Sequence, residues 1–506
     1  MESYNFLQGQ VKVDNLTLIN SDKEAVDLVN LCSNIKLYEN IKQPFVSGRI
    51  TLVDGLDLIK NYRIVGQESL TVRIRGLDDT QDGFTALKDS IDRTFRIYAI
   101  THERPLNNVN DTKVYVLHFI DPAYFTCRQT RISKVLRGSY SSMLVETWRE
   151  YVFGNNAPTD DITDWWEESE PENKQLLVPN WTINQLIEFI EKSASPKNAT
   201  FKNSMFFFDT VYGQQKFMSY DNMKTLKCPV SMDSYPRKTN IGTSKYPVNS
   251  PFVGLNTQIL KYTRPIRANL MNAIQVGTFT AKIKSYDAIR KVEKTIKHNL
   301  SEVYEKIKNV FPSVRFDKDG EKVYTAGTIS DEGEIEILGK GYAMPFLDDS
   351  ADKSGTTAEP LVVNKINATN AYSNDAMLLN SETDTSISQN WVGEEFKDTG
   401  PLERNALLQI LEQQVTSILI PFRPDIMSGT VIECVIPTEE DDENPNLMNK
   451  GEYLITACVF DIQPIKSSGT IHVKCVKEGY DEDIANFEPL KTTTQAYTEW
   501  TRKGSM

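Results

Sequence analysis

The chain has 506 residues, with 56 Lys and Arg against 69 Asp and Glu, so its formal net charge is −13. At roughly 100 to 200 residues per domain this length corresponds to about three or four domains with real cores, which excludes a mini-protein held by disulfides. The acidic balance argues against nucleic-acid binding as the main task, because affinity for phosphate backbones comes mostly from clustered Lys and Arg.

The first stretch, to about residue 125, alternates as half-buried strands do. Leu70, Val72 and Ile74 point one way while Thr71, Arg73 and Arg75 point the other, and Phe95, Ile97 and Ala99 repeat the pattern. The segment Lys113 to Ile120 is apolar on both faces, which predicts a central strand packed on two sides. Together these segments predict a closed or strongly curved antiparallel sheet.

From about Ser133 to Lys192 the period becomes helical. Met143, Leu144, Trp148, Tyr151 and Val152 form one stripe, and Ile183, Leu186, Ile187 and Ile190 form another. Thr182 followed by Gln185 is a capping box at the start of the second helix. Between them runs an acidic stretch, Asp160 to Glu172, that holds Trp165 and Trp166. Adjacent tryptophans have two readings here: a partner contact, since Trp is enriched in binding hot spots, or a plug for the local core.

Strands return after Phe201, in Met205 to Asp209, Gln215 to Tyr220, Thr257 to Lys261 and Ala273 to Tyr286. The stretch Asp287 to His298 is ambiguous between strand and helix. Leu300, Val303, Tyr304 and Ile307 show helical spacing that Pro312 ends, and Asp319-Gly320 is a hairpin signal. Residues 347–400 form a polar tract too long for an ordinary connection, expected to be disordered until a partner arrives or to lie on a neighbour as an arm. A helix is predicted from about Leu402 to Gln414. The final strands are Val415 to Ile420, Thr430 to Ile436, Glu452 to Ile462 and Thr470 to Val476, with Ile471, Val473 and Cys475 inward and His472 and Lys474 in water. The acidic run Glu439 to Glu443 reads as a solvated loop, and Lys477 to Met506 as a polar tail.

Spacing tests leave no catalytic or metal constellation. His102, His118, His298 and His472 sit in four separate settings, with no HExxH. Asp317, Asp319 and Gly320 resemble part of a calcium loop, but Arg315 stands where its first carboxylate belongs and Ala326 where its closing Glu belongs. Gly333, Gly339 and Lys340 resemble a phosphate-binding loop one residue too long, with Gly341 in place of the magnesium-binding hydroxyl. Cys32, Cys127, Cys228, Cys434, Cys458 and Cys475 are far apart with no C-x-x-C pair, as free thiols in a reducing compartment would be. Met1 to Val13 is too polar for a signal peptide and no apolar run reaches membrane-span length, so cytoplasmic synthesis without membrane insertion is expected. The expectation is therefore no catalytic, cofactor-binding or metal residues, with Trp165 and Trp166 the candidate interface pair.

The order of segments carries a resemblance. It runs through Phe45-Val46-Ser47-Gly48-Arg49-Ile50-Thr51-Leu52-Val53-Asp54-Gly55, Ile64-Val65-Gly66-Gln67-Glu68-Ser69-Leu70, Arg131-Ile132-Ser133-Lys134 and Pro179-Asn180-Trp181-Thr182. It continues through Met205-Phe206-Phe207-Phe208-Asp209 with Gly213, then Gly429 to Pro437, Gly451-Glu452-Tyr453-Leu454-Ile455-Thr456, and the last strand into Lys477-Glu478-Gly479. This succession resembles the central baseplate hub protein of T-even-like contractile-tailed phages, of the marine and cyanophage type. The resemblance covers most of residues 7–480, is clearest over 40–220 and 415–480, and is poor over 300–400.

The resemblance implies an α+β, mainly β fold with two tail-tube-like antiparallel β-barrel domains separated by an α/β domain, with extended arms. Mapped onto this sequence, residues 1–130 form the first barrel, 131–204 the α/β domain, and 205–300 with 415–480 the second barrel. Residues 301–414 are insertion, polar arm and helix, and 481–506 a C-terminal tail. It further implies a homotrimeric ring that joins the tail tube, or tube-initiator proteins, to the central spike and lines the channel for the tape measure protein and for DNA in transit. The setting would be the virion baseplate, assembled in host cytoplasm. Peptidoglycan cleavage in such assemblies belongs to the spike chain, so no catalytic residue is expected here. The alternatives are the hub of a related phage-tail-like injection machine and a tail-associated hydrolase of cell wall or capsule.

Overall fold

The computed structural model describes residues 9–80, 83–107, 110–153, 166–170, 174–197, 201–213, 215–228, 232–234, 258–266, 280–287, 292–299, 314–316, 322–324, 327–329, 335–337, 361–367, 400–412, 414–435 and 450–477. The fold is mainly β. A single sheet of 14 strands takes strands from both ends of the chain, and most of its pairs are antiparallel. Met232–Ser234, however, runs parallel to both of its neighbours, Gln258–Ile259 and Val431–Val435.

Part of this sheet returns on itself. Val11–Ile19 pairs with Ser69–Thr80, which pairs with Gly83–Asn107. That 25-residue strand leaves its first partner at Arg96 and continues along Asn110–Ile120. The path then passes through Ser47–Asp54 and Cys32–Asn40. From there Lys450–Gln463 and Ser468–Val476 complete it. Backbone hydrogen bonds from Val11 N to Ser467 O (3.0 Å) and from Gly469 N to Gly9 O (2.8 Å) join the last strand to the first. Strands from residues 1–130, expected as the first barrel, and from 415–480, expected with 205–300 as the second, are thus hydrogen-bonded to one another in this sheet.

Alternation explains the shared core. Leu70, Val72, Ile74, Phe95, Ile97, Leu37, Phe460, Ile471 and Val473 all sit on one face and are fully or almost fully buried in one apolar cluster. Burying each such side chain contributes roughly 1.5–3 kcal/mol. In the last strand Ile471, Val473 and Cys475 face inward while His472 and Lys474 are exposed, as its pattern predicts. Lys113 to Ile120 departs from expectation: Tyr115, Leu117 and Phe119 are buried, but the face bearing Val114, Val116 and His118 is only half-buried.

The helices Ala123–Gln129, Tyr140–Trp148 and Ile183–Ser193 form a second layer. A turn of π-helix, Arg149–Phe153, extends the middle one. The predicted capping box is present: Thr182 Oγ1 accepts from Gln185 N at 3.2 Å, and Gln185 Oε1 accepts from Thr182 N at 2.9 Å. Met205–Asp209 and Gln215–Ser219, expected among the strands of the second barrel block, pair only with each other as strands. Their hairpin is buried on both faces. Met205, Phe207 and Phe217 join the helical cluster, whereas Phe206, Phe208 and Met218 join a third cluster with the helix Gly400–Ile410. Two-sided burial is why Met-Phe-Phe-Phe has no polar alternation.

The ambiguous stretch after residue 287 contains a strand, Val292–Asn299, which pairs antiparallel with Thr280–Asp287. Within the polar tract, Leu361–Asn367 pairs parallel with Thr280–Asp287, so this piece of the expected arm lies on its own chain. The hairpin predicted at Asp319-Gly320 is flanked by the antiparallel pair Val314–Phe316 and Lys322–Tyr324. The helical run predicted over 300–307, the loop 439–443 and the tail beyond residue 477 lie outside the described residues.

The ring closure gives a direct test. Gly9 has φ +69, and a Cβ there would meet the Gly469 carbonyl oxygen and come within 2.9 Å of Phe422 N. Gly9→Ala is expected to lower unfolding stability by about 1–3 kcal/mol. Gly55→Ala, whose Cβ would lie 3.8 Å from Thr112 Oγ1, should stay within about 0.5 kcal/mol. Urea titration of the two variants checks the contrast.

Candidate functional site

Trp166 is 9% exposed, donates its indole N–H to Gln215 O (2.9 Å) and packs edge-on to Trp148 and Phe207. It occupies the core-plug position; Trp165 lies outside the described residues. His118 shares a hydrogen bond with Thr101 Oγ1 (2.8 Å), and His472 is exposed in the last strand. Among the described residues, no three His, Cys, Asp or Glu side chains are grouped to hold a metal ion. All six cysteines are free thiols, five buried and Cys228 half-buried. No helix among the described residues is long and apolar enough to cross a membrane.

The ionisable groups that the fold does bring together lie where the ring of strands meets the 205–219 hairpin. On the 83–107 strand, Ile91, Arg93, Phe95 and Ile97 share a parity, so Arg93 points from the apolar face. Its guanidinium pairs with Asp121 and with Asp209 Oδ2 (2.8 Å) and donates to Thr210 O (2.6 Å). Burial opposes the charge, but the two carboxylates outweigh it and hold Arg93 firmly protonated. Asp121 also accepts from Ala123 N (2.7 Å), which fixes the entry to the first helix. Asp209 is pushed up to about 6, chiefly by burial, with Arg93 opposing.

Glu39 is the second buried carboxylate at this junction. It follows Ile35 and Leu37 on the inward face of its strand and is 2% exposed. Its oxygens accept from Val211 N (2.9 Å) and Ser428 N (2.5 Å), tying the hairpin turn and the loop before Val431–Val435 to the ring. Burial raises it to about 7 against those two donors. Lys216, 1% exposed, contacts Met427 Sδ at 3.4 Å, and burial lowers its pKa while the Glu39 charge opposes the shift.

A separate buried pair docks the helix Gly400–Ile410. Arg404 donates to Asn203 O (2.9 Å), Met205 O (2.8 Å) and Glu191 Oε1 (2.7 Å), and its guanidinium lies 5.1 Å from the Phe206 ring centroid. Glu403 accepts from Lys202 N at 2.6 Å. Burial pushes Glu191 up to about 7, with Arg404 opposing. These arrangements hold segments together by neutralising charge out of water; Glu39 accepts from backbone N–H groups, and Asp209 and Glu191 accept from guanidinium. Sequence reasoning missed them, although Glu39 and Arg93 carry a readable sign, a charge on the apolar parity of an alternating strand.

No family model and no curated protein sequence matches the chain. Solved structures do. A tail protein from Neisseria meningitidis aligns with TM-score 0.45 and 10% identity over 92% of this chain and 97% of its own. The 43 kDa tail protein of a Shewanella oneidensis prophage aligns with TM-score 0.43 and 9% identity over 92% and 98%. An E. coli component of the type VI secretion system, described as structurally similar to T4 tail proteins gp27 and gp5, aligns with TM-score 0.32 and 8% identity over 95% and 81%.

Removing one partner of a buried pair leaves the other charge uncompensated. Arg404→Ala is expected to cost about 3–5 kcal/mol at neutral pH, and the double change Arg404→Met with Glu191→Gln much less. Denaturant unfolding of the single and double variants measures the difference.

Proposed function

We propose that this chain is a structural subunit of a phage tail, the baseplate central hub of a contractile tail. In this reading three copies form a ring that joins the tail tube to the central spike and lines the channel for tape measure protein and DNA. The observation that carries it is the pairing of Cys32–Asn40 with Lys450–Gln463. The stretches where the segment order most resembles hub proteins, 40–220 and 415–480, are far apart in sequence, yet a strand within the second pairs with the strand that leads into the first. The buried carboxylates and cations support a structural role, since they are occupied in joining layers of the chain.

Three chains each presenting two related strand-rich surfaces would match a six-fold tube above and a three-fold spike below. The net charge of −13 suits a channel for DNA in transit, because an acidic wall offers phosphates few cations to bind.

Light scattering and negative-stain microscopy of the purified chain test this reading. A three-fold ring with an axial hole is expected, with acidic side chains outnumbering basic ones along the channel. A compact monomer that releases fragments from peptidoglycan would establish the hydrolase alternative, and an Arg-rich lumen would refute the charge argument.

A further inference from the structure

The junction of Glu39, Arg93, Asp121, Asp209 and Lys216 brings three carboxylates against two cations inside the protein. Lys216 and Asp209 are each 1% exposed, Glu39 2%, Asp121 7%, and the Arg93 side chain 8%. Arg264, a further cation, faces Cys475 rather than the three carboxylates. Arg423 and Asp425, on the loop before Val431–Val435, neutralise each other through two hydrogen bonds of 2.9 and 2.7 Å. Cys458, beside Glu39, Cys475 beyond it, and Cys228, near Lys216, are all pushed up by burial and so stay uncharged thiols. With every carboxylate ionised, the interior would hold one unbalanced negative charge, which a low-dielectric environment strongly disfavours.

We propose that this junction is a proton-linked clamp: protonation of the Glu39 and Asp209 carboxylates keeps the 209–213 turn and the 425–428 loop seated on the ring of strands, and its loss loosens both. The geometry makes the two segments the responsive ones. The turn carries Asp209 itself, Thr210 O bound by Arg93, and Val211 N bound by Glu39; the loop carries Ser428 N bound by the other Glu39 oxygen. Asp209 and Glu39 repel when both are charged, and the side chain that must move is attached to the turn. This clamp is independent of the tail reading.

The direction of the effect follows from both carboxylates lying above their ordinary values. Glu39 moves from 4.5 to about 7 and Asp209 from 3.8 to about 6. The folded state therefore binds more protons than the unfolded chain between roughly pH 4 and 7, so the stability from this junction is complete at the acid end of that window. It is lost as pH rises through it and levels off above pH 7.

Hydrogen exchange of the full chain, read by mass spectrometry on peptides covering 209–213 and 425–429 and corrected for intrinsic rates, tests the proposal. Between pH 5 and 8 the protection of both segments should fall by about tenfold or more. Glu39→Gln, which fixes a neutral side chain of the same shape, should flatten the profile. Asp209→Asn is the second variant should the first not fold, and the wild-type profile decides by itself if neither does. Constant protection across that range, or an undiminished slope in a folded variant, would overturn the clamp.

Discussion

The structure turns on an arginine placed where a strand should bury a hydrocarbon. Arg93 projects from the core parity of its strand, between Ile91 and Phe95, and a guanidinium there is tolerable only if carboxylates come to it. Asp121 is local. Asp209 is not: it ends the first strand of a hairpin more than a hundred residues away, so satisfying Arg93 fixes where that hairpin sits. Once it is seated, its two faces assign everything above the ring. The Phe207 and Phe217 side receives the three helices with Trp148 and Trp166, and the Phe206 and Phe208 side receives the helix Gly400–Ile410.

Such a junction is a specifying device more than a source of stability. Desolvating charge costs several kcal/mol per ion, and close pairing does little more than offset it. The net stability comes from the aliphatic and aromatic clusters, which would tolerate some sliding between layers. Ion pairs and carboxylates bonded to named backbone N–H groups do not tolerate it. Glu39 between Val211 N and Ser428 N, and Arg404 between Glu191 and the carbonyls of 203 and 205, convert an apolar contact of indefinite register into one with a single register.

Local order was legible where one physical signal dominated. Period-2 alternation placed the strands around Leu70 and Ile471, helical period with a capping box placed Ile183–Ser193, and Asp319-Gly320 marked a turn between two paired strands. The failures share a cause, that pairing partners are not local. Nothing within Glu452 to Ile462 says that the strand will join Cys32–Asn40, roughly four hundred residues earlier. Val114, Val116 and His118 look like a second apolar face, but among the described residues they are only half-buried. Leu361–Asn367 reads as part of a polar arm because its partner, Thr280–Asp287, is remote. The adjacent tryptophans illustrate the same limit, since only the packing of Trp148, Phe207 and Phe217 assigns Trp166 to the interior.

The legible and illegible parts meet at the charged residues. Glu39 on the parity of Ile35 and Leu37, and Arg93 on that of Ile91 and Phe95, are violations of pattern visible without any structure. A violation of this kind cannot be neutral: a lone charge facing a core would unfold it, so the sequence itself implies that a partner of opposite sign or a set of backbone donors arrives from elsewhere. Pattern-breaking charges therefore mark the places where distant segments must meet, which alternation alone never reveals. In this chain those places are the seams between the ring, the helical layer and the returning helix.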